Sequence, residues 1–288
     1  MSSILTNNGA MVALQTLKSI NKDLGMVQNQ ISTGKEVATA KDNSAIWAIS
    51  KVMESDVSGF KAISDSLAVG ESTVAVASAG AEQIVDVLKD MKELAVAATS
   101  ETADFAKIEA DMAEKQAQIE SIVGASQFNG VNLLATDIDG SGAGTTTLSV
   151  LSSLDRSGQN DSTNGNAPVV STIDVATVDF QTNLNVAGRT AIADSATAAT
   201  ALTEIEGFLQ TAVEGAASLG ASAKRIDAQG DFVGKLTDAM KSGIGALVDA
   251  DMEEASARLQ ALQTQQQLGV QALSIANQAP QSILSLFR

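Results

Sequence analysis

The densest group of side chains able to do chemistry lies toward the C-terminal end, where Asp249, Asp251, Glu253 and Glu254 fall close together. Carboxylates at that density could hold a divalent cation or separate a general acid from a general base. The same pattern also marks the acidic first turn of a long helix, set against the positive end of the helix dipole. The chain contains no His and no Cys, and no Gly stands where a calcium loop requires one. Without imidazole or thiolate, the Ser–His and Cys–His constellations and the commonest metal-ligand sets are excluded. The helix-start reading is therefore favoured, and no catalytic, cofactor or metal-ligating residue is expected. Asn160-Asp161-Ser162 fits the N-glycosylation triplet, although Ser and Thr around it serve equally as turn and strand residues. Met11, Met26, Met53, Met91 and Met112 read as core or interface fillers, and Trp47 as an anchor between domains or subunits.

The elements that must carry these residues follow from composition and spacing. Apolar residues make up 44% of the 288, yet aromatics are only 3% and Tyr is absent. A core built from Ala, Val, Leu and Ile suits closely approaching helices better than an enzyme with a roomy pocket. A net charge of −16 argues against nucleic acid as a partner. No stretch approaches the roughly 18 apolar residues of a membrane span. The opening MSSILTNNGAMVALQTL lacks the basic and continuous apolar regions of a Sec-type signal, so secretion is expected to use another route.

Apolar residues step by three and four along most of the chain. One run is Ala10, Ala13, Leu17, Ile20, Leu24, Val27 and Ile31, and a second is Leu67, Gly70, Val74, Ala77, Ala81, Ile84, Leu88, Met91 and Ala95. A third is Phe105, Ile108, Met112, Lys115, Ile119 and Ile122. The fourth runs Leu202, Ile205, Leu209, Ala212, Ala216, Leu219, Ala223 and Ile226; the fifth runs Leu259, Leu262, Gln266, Gly269, Leu273 and Ala276. Such runs are the signature of helices packed along their lengths. Residues 135–195 differ, being rich in Gly, Ser, Thr, Asn and Asp with short β-branched runs and Pro168, which is turn and strand composition. Just before them Asn129-Gly130 gives a strong hairpin signal. The fold class is thus mainly α. Long antiparallel helices from both chain ends form coiled-coil-like core domains, and the centre is a small β-rich or irregular insertion.

The last stretch is the most informative. From Ala255 to Arg288 there is no acidic residue, and only Arg258 and Arg288 are basic. A free surface helix carries charge on its wet face. A helix of roughly 33 residues spans about 50 Å, too long to hide in one small domain, so other copies of the chain are the expected cover. Ile283, Leu284, Leu286 and Phe287 end the chain and would together gain on the order of 6–12 kcal/mol, as an upper figure, on full burial. A lone chain offers them no evident partner, and its terminal helices are expected to be largely disordered before assembly.

These residues resemble bacterial flagellin. LQTLKSINKDLGMVQNQISTGKEVATAKDNSAIWAIS follows the family's N-terminal pattern, and Lys92-Glu93-Leu94-Ala95-Val96 matches its R-E-L-A-V segment. SQFNGVNLL matches the Q-F-N-G turn, VDADMEEAS the E-D-A-D segment, and ANQAPQSILSLFR the A-N-Q-x-P-Q ending. The resemblance covers residues 1–134 and 198–288. It implies a structural subunit that polymerises into the extracellular flagellar filament for swimming motility, exported unfolded through the flagellar type III channel. Its implied partners are other copies, the flagellar cap, junction proteins and an export chaperone, with no membrane insertion. The implied domains are an N-terminal inner-core helix over 1–43, outer-core helices and hairpin over 44–134, and a variable surface insertion over 135–195. An outer-core return helix over 196–243 and a C-terminal inner-core helix over 244–288 complete them. The assembly interface is expected to include Leu17, Ile20, Leu24, Val27, Ile31, Trp47, Leu88 and Leu94. From the C-terminal side it takes Leu259, Leu262, Leu273, Ile283, Leu284, Leu286, Phe287 and Arg288. Trp47 departs from the small or aliphatic residue usual at its position. Asp90 stands where many flagellins carry an Arg of the patch read by the animal innate flagellin receptor, so weak recognition is expected.

The alternatives are the hook–filament junction protein, which shares the terminal helices but differs at its C-terminal ending, and a secreted coiled-coil adhesin or effector. Some flagellins carry a metalloprotease insertion with an H-E-x-x-H helix; a chain with no His cannot. Because the flanking segments are complementary without it, replacing about residues 138–192 by a short linker is expected to preserve polymerisation.

Overall fold

The computed structural model describes residues 7–139, 146–155 and 169–286, of which 155, 169–170 and 279–286 are described by their backbone alone. In chain order the elements are α1 (Asn8–Thr33), α2 (Ser44–Ala98), α3 (Phe105–Ala125), β1 (Thr147–Asp155), β2 (Val169–Ala176), the short α4 (Phe180–Asn183), a 3-10 turn (Val186–Gly188), α5 (Ser195–Val248) and α6 (Met252–Leu286). Each long helix opens on an Asn or Asp whose side chain accepts the orphan N–H groups of the first turn. Asn7 does so for α1, Asn43 for α2, Asp104 for α3, Asp194 for α5 and Asp251 for α6. The chain divides into two compact units, one formed by residues 1–57 with 238–288 and the other by residues 58–237.

In the first unit α1 and α6 pair antiparallel. Asn7 lies against Ala276, Asn21 against Gln266, and Val27 in one cluster with Ala255 and Leu262. The seam is the expected 3-4 stripe: Ile20, Leu24, Ile31 and Leu259 pack on that cluster. Gly269 lets α1 come close, since a Cβ there would meet the Leu17 and Ile20 methyls at 3.2 and 3.8 Å. Gln266 sits at the half-buried edge of the seam and donates to the exposed Asn21 Oδ1 at 2.6 Å, a bond between the two helices. The seam gives α1 and α6 an apolar partner in each other.

Pro280 lies within α6 and has no N–H to give the carbonyl four residues back. That carbonyl, Ala276 O, instead accepts from Asn7 Nδ2 at 2.7 Å. Asn7 therefore caps α1 with its oxygen and fills a gap in α6 with its amide. At the other end both helix pairs break together. Gly34 takes φ 69° and closes α1, while Glu36 N donates to Val248 O at 2.7 Å and Ala250 N to Gly34 O at 3.0 Å. The two interruptions are joined by main-chain bonds.

In the second unit every member of the α2 stripe from Leu67 to Ala95 is buried. Met112, Ile119 and Val123 from α3 join the core, with Ala198, Ala201, Ile205, Ala212, Leu219, Ile226 and Val233 from α5. On α5 the expected Leu202, Leu209, Ala216 and Ala223 are only half-buried. The buried stripe runs through Ala201 and Gly215 instead, because Val178 and Phe180 press on Gly215 from the side. The turn signal at Asn129-Gly130 is realised with φ 51° and 81°, the mirror-image turn geometry. Phe128 and Val131 close it with paired bonds of 2.9 and 3.0 Å. It stays an isolated turn, since its pairing does not extend beyond that one bridge.

The central segment is not a loose decoration. β1 and β2 pair antiparallel with a bulge at Ser152. The bulge carbonyl accepts from Gln229 Nε2 of α5 at 2.8 Å, and Ser152 Oγ donates to Ser171 O at 2.9 Å. Val150, Ile173, Val175, Phe180, Leu184, Val186 and Ile192 are all buried. Arg189, its side chain 4% exposed, forks onto Glu109 of α3 with bonds of 3.0 and 2.7 Å. The Ile192 N–H adds a third bond to the same carboxylate at 2.9 Å.

Candidate assembly surface

The residues with the most unspent binding energy lie on α1 and α6, facing away from their shared seam. On α6, Leu268 and Ile275 are one heptad apart and keep 63% and 69% of their surface exposed. Successive residues turn by about 100° along a helix. Ala261, Thr264, Leu268, Gln271 and Ile275 therefore form a second, uncharged 3-4 stripe opposite the first. On α1, Met11, Val12 and Leu14 are exposed above one half, as is Val270 of α6. An apolar surface of this kind, continued along a paired coil, marks an interaction site. Six side chains losing roughly 60% of their surface would contribute on the order of 5–11 kcal/mol before the entropic cost of association.

Charge divides along the same line. Residues 58–237 hold 24 of the 34 acidic and 10 of the 18 basic residues, a net of −14, so the other unit carries −2. Near-neutral copies of the first unit can approach one another without the repulsion that the second unit would impose.

The expected interface residues fall in different places. Leu17, Ile20, Leu24, Ile31, Leu259 and Leu273 are half-buried, and Val27 and Leu262 buried, all in the seam. Trp47, in the first turn of α2, and Leu94 are half-buried. Leu88 is fully buried inside the second unit and has no surface left for a neighbour. Ile283, Leu284 and Leu286 lie in the last turns of α6, where only the backbone is described, and Phe287 and Arg288 lie outside the described residues, as do Asn160, Asp161, Ser162 and Pro168. Met11, Val12, Leu14, Leu268, Val270 and Ile275 were not legible as a set from the seam pattern. For Leu268, Val270 and Ile275 the signal was the lack of charge on α6.

The carboxylates near the C-terminal end have local tasks. Asp251 Oδ1 accepts from the N–H groups of Glu253 and Glu254 at 2.9 and 3.2 Å, and those two glutamates occupy the first turn of α6. Asp90 is paired with Lys115 of α3 at 2.6 Å.

Residues 4–138 match the family model described as the bacterial flagellin N-terminal helical region, and residues 202–287 match the C-terminal helical region. The chain belongs to the bacterial flagellin family. It is 43% identical over 291 residues to Flagellin FljK of Caulobacter vibrioides, covering 100% of this chain and 99% of that protein. To Flagellin of Brucella melitensis it is 42% identical over 295 residues, with 100% of each chain covered. A crystal structure of Bacillus cereus flagellin overlaps with a TM-score of 0.46 at 20% identity, over 57% of this chain and 86% of that one. As a flagellin, the chain is a structural subunit of the flagellar filament, and no described helix is long and apolar enough to cross a membrane.

Proposed function

We propose that this flagellin polymerises through the outer faces of its α1/α6 coil, with Leu268 and Ile275 at the centre of each contact. The observation that carries the reading is the uncharged second stripe on α6, exposed in the single chain. The seam residues from Leu17 to Ile31 and from Leu259 to Leu273 act by holding that face in shape. Trp47, Leu94, Ile283, Leu284, Leu286, Phe287 and Arg288 extend the contact. Export through the flagellar type III channel, an extracellular filament for swimming, and contacts with the cap, junction proteins and an export chaperone complete the proposal, supported by family membership. No catalytic role is assigned to any residue.

Leu268→Asp with Ile275→Asp places unpaired charge in the proposed dry contact. Circular dichroism should show the helices retained, and sedimentation should show filaments lost. A doubly substituted chain that polymerises at the parent's critical concentration would overturn the reading. Electron microscopy of the parent should show long helical filaments; short assemblies alone would favour the junction protein.

A further inference from the structure

The methionines are sorted by unit. Met91 and Met112 of the second unit are fully buried, whereas Met11 and Met26 on α1 and Met252 on α6 keep 61%, 46% and 44% of their surface exposed. Met53 and Met240 are half-buried. Met11 and Met26 lie outside the seam positions of α1, on the side that carries the proposed contact between copies.

We propose that Met11, Met26 and Met252 are oxidation sites through which hydroperoxides block polymerisation of the free chain. The inference rests on the assembly reading above. In the step, a lone pair of the thioether sulfur attacks the terminal oxygen of hydrogen peroxide and the O–O bond breaks. The leaving hydroxide takes up the proton that the oxygen now bonded to sulfur releases, forming water. Sulfur loses two electrons and becomes a sulfoxide; the peroxide gains them. No other reductant or oxidant is needed. The product converts a flexible apolar side chain into a strong hydrogen-bond acceptor. The neighbouring helix backbone N–H groups are already committed to the helix. A sulfoxide at Met11 or Met26 carries its hydration into a contact shared with Val12, Leu14, Leu268 and Ile275, and its desolvation opposes packing. The polymer, once formed, shields Met11 and Met26, which the free chain exposes. Met91 and Met112 react only when the second unit opens.

The experiment treats the full chain, as monomer and as preformed polymer, with hydrogen peroxide. Each methionine is followed by peptide mass spectrometry and polymerisation by sedimentation. In the monomer the three exposed residues should oxidise first, Met91 and Met112 should stay reduced, and the critical concentration should rise by about tenfold or more. In the polymer Met11 and Met26 should be protected. Met11→Leu with Met26→Leu and Met252→Leu should polymerise normally after peroxide. Enzymatic reduction of the sulfoxides in the parent chain should restore assembly, which keeps the test decisive if the triple variant folds poorly. Oxidation at all three sites with an unchanged critical concentration would overturn the inference, as would equal peroxide sensitivity of the triple variant. Failure of the assembly reading is separate, since it shows as normal polymerisation of the unoxidised Leu268→Asp, Ile275→Asp chain.

Discussion

Arg189 and Glu109 show what one pair of side chains contributes. Burial pushes the Glu109 carboxyl up, but the Arg189 guanidinium and the Ile192 N–H outweigh it and hold the group below its ordinary value of 4.5. A depressed folded-state value means stability that is fully present above the unfolded value and lost as pH falls through the folded one. The melting temperature of the second unit should therefore fall as pH drops below about 4.5, and the Glu109→Gln chain should show less of that dependence. Glu109→Gln should itself cost about 2–3 kcal/mol in urea unfolding, less than for a fully buried pair because the Glu109 side chain keeps 33% exposure. The exposed pair of Asp90 with Lys115 is different, and Asp90→Ala should change stability by under about 1 kcal/mol. Its expected consequence is for recognition: if Asp90 stands in the patch the family resemblance implies, it inverts a charge there, an expected loss of about 2–5 kcal/mol in receptor binding. The monomer should activate reporter cells weakly, and full potency at ordinary flagellin concentrations would refute that.

Among the elements, the packing of the β1/β2 hairpin on α2 at Gly70 is the sensitive joint. A Cβ on Gly70 of α2 would lie 2.6 and 2.8 Å from the Val150 methyls, and Val is stiff at χ1. Gly70→Ala should destabilise the second unit by about 1–2 kcal/mol, the overpacking cost less the gain in helix propensity, measured by thermal unfolding. Gly25, with nothing within 4 Å of a built Cβ, is the control: alanine there should be neutral or stabilising. On the coil, Asn7→Ala removes a cap and leaves Ala276 O without its donor. A loss of about 1–2 kcal/mol is expected, visible as earlier hydrogen exchange at the start of α1.

For the whole molecule, the net of −14 on the second unit sets the terms of assembly. Copies brought together repel through that unit, and salt shortens the range of repulsion to about 10 Å at 0.1 M. The critical concentration should fall as ionic strength rises from about 0.01 to 0.15 M; no change would show that charge plays no part. The central segment changes the expectation for its own removal. Replacing residues 138–192 deletes Val150, Ile173, Val175, Phe180, Leu184 and Val186 from the core and takes Arg189 from Glu109. At about 1.5–3 kcal/mol per buried side chain, a linker does not restore what is lost, so such a chain should be less stable even if its terminal coil still pairs.

The sequence by itself determined the helices, the α1/α6 seam, the turn at Asn129-Gly130 and the family, because period and turn chemistry are local properties written residue by residue. Tertiary structure decided what those patterns could not. It kept Ile205, Ala212, Leu219 and Ile226 of the expected α5 stripe and added Ala201 and Gly215, since Val178 and Phe180 arrive at Gly215 from a distant part of the chain. It spent Leu88 inside the second unit, drew the central hairpin into the core, and matched Asn7 to the carbonyl that Pro280 leaves open. Each depends on residues far apart in the chain meeting at one place. Heptad spacing identifies a buried face without saying what buries it, and only the packed coil separates the seam spent within one chain from the face left for another.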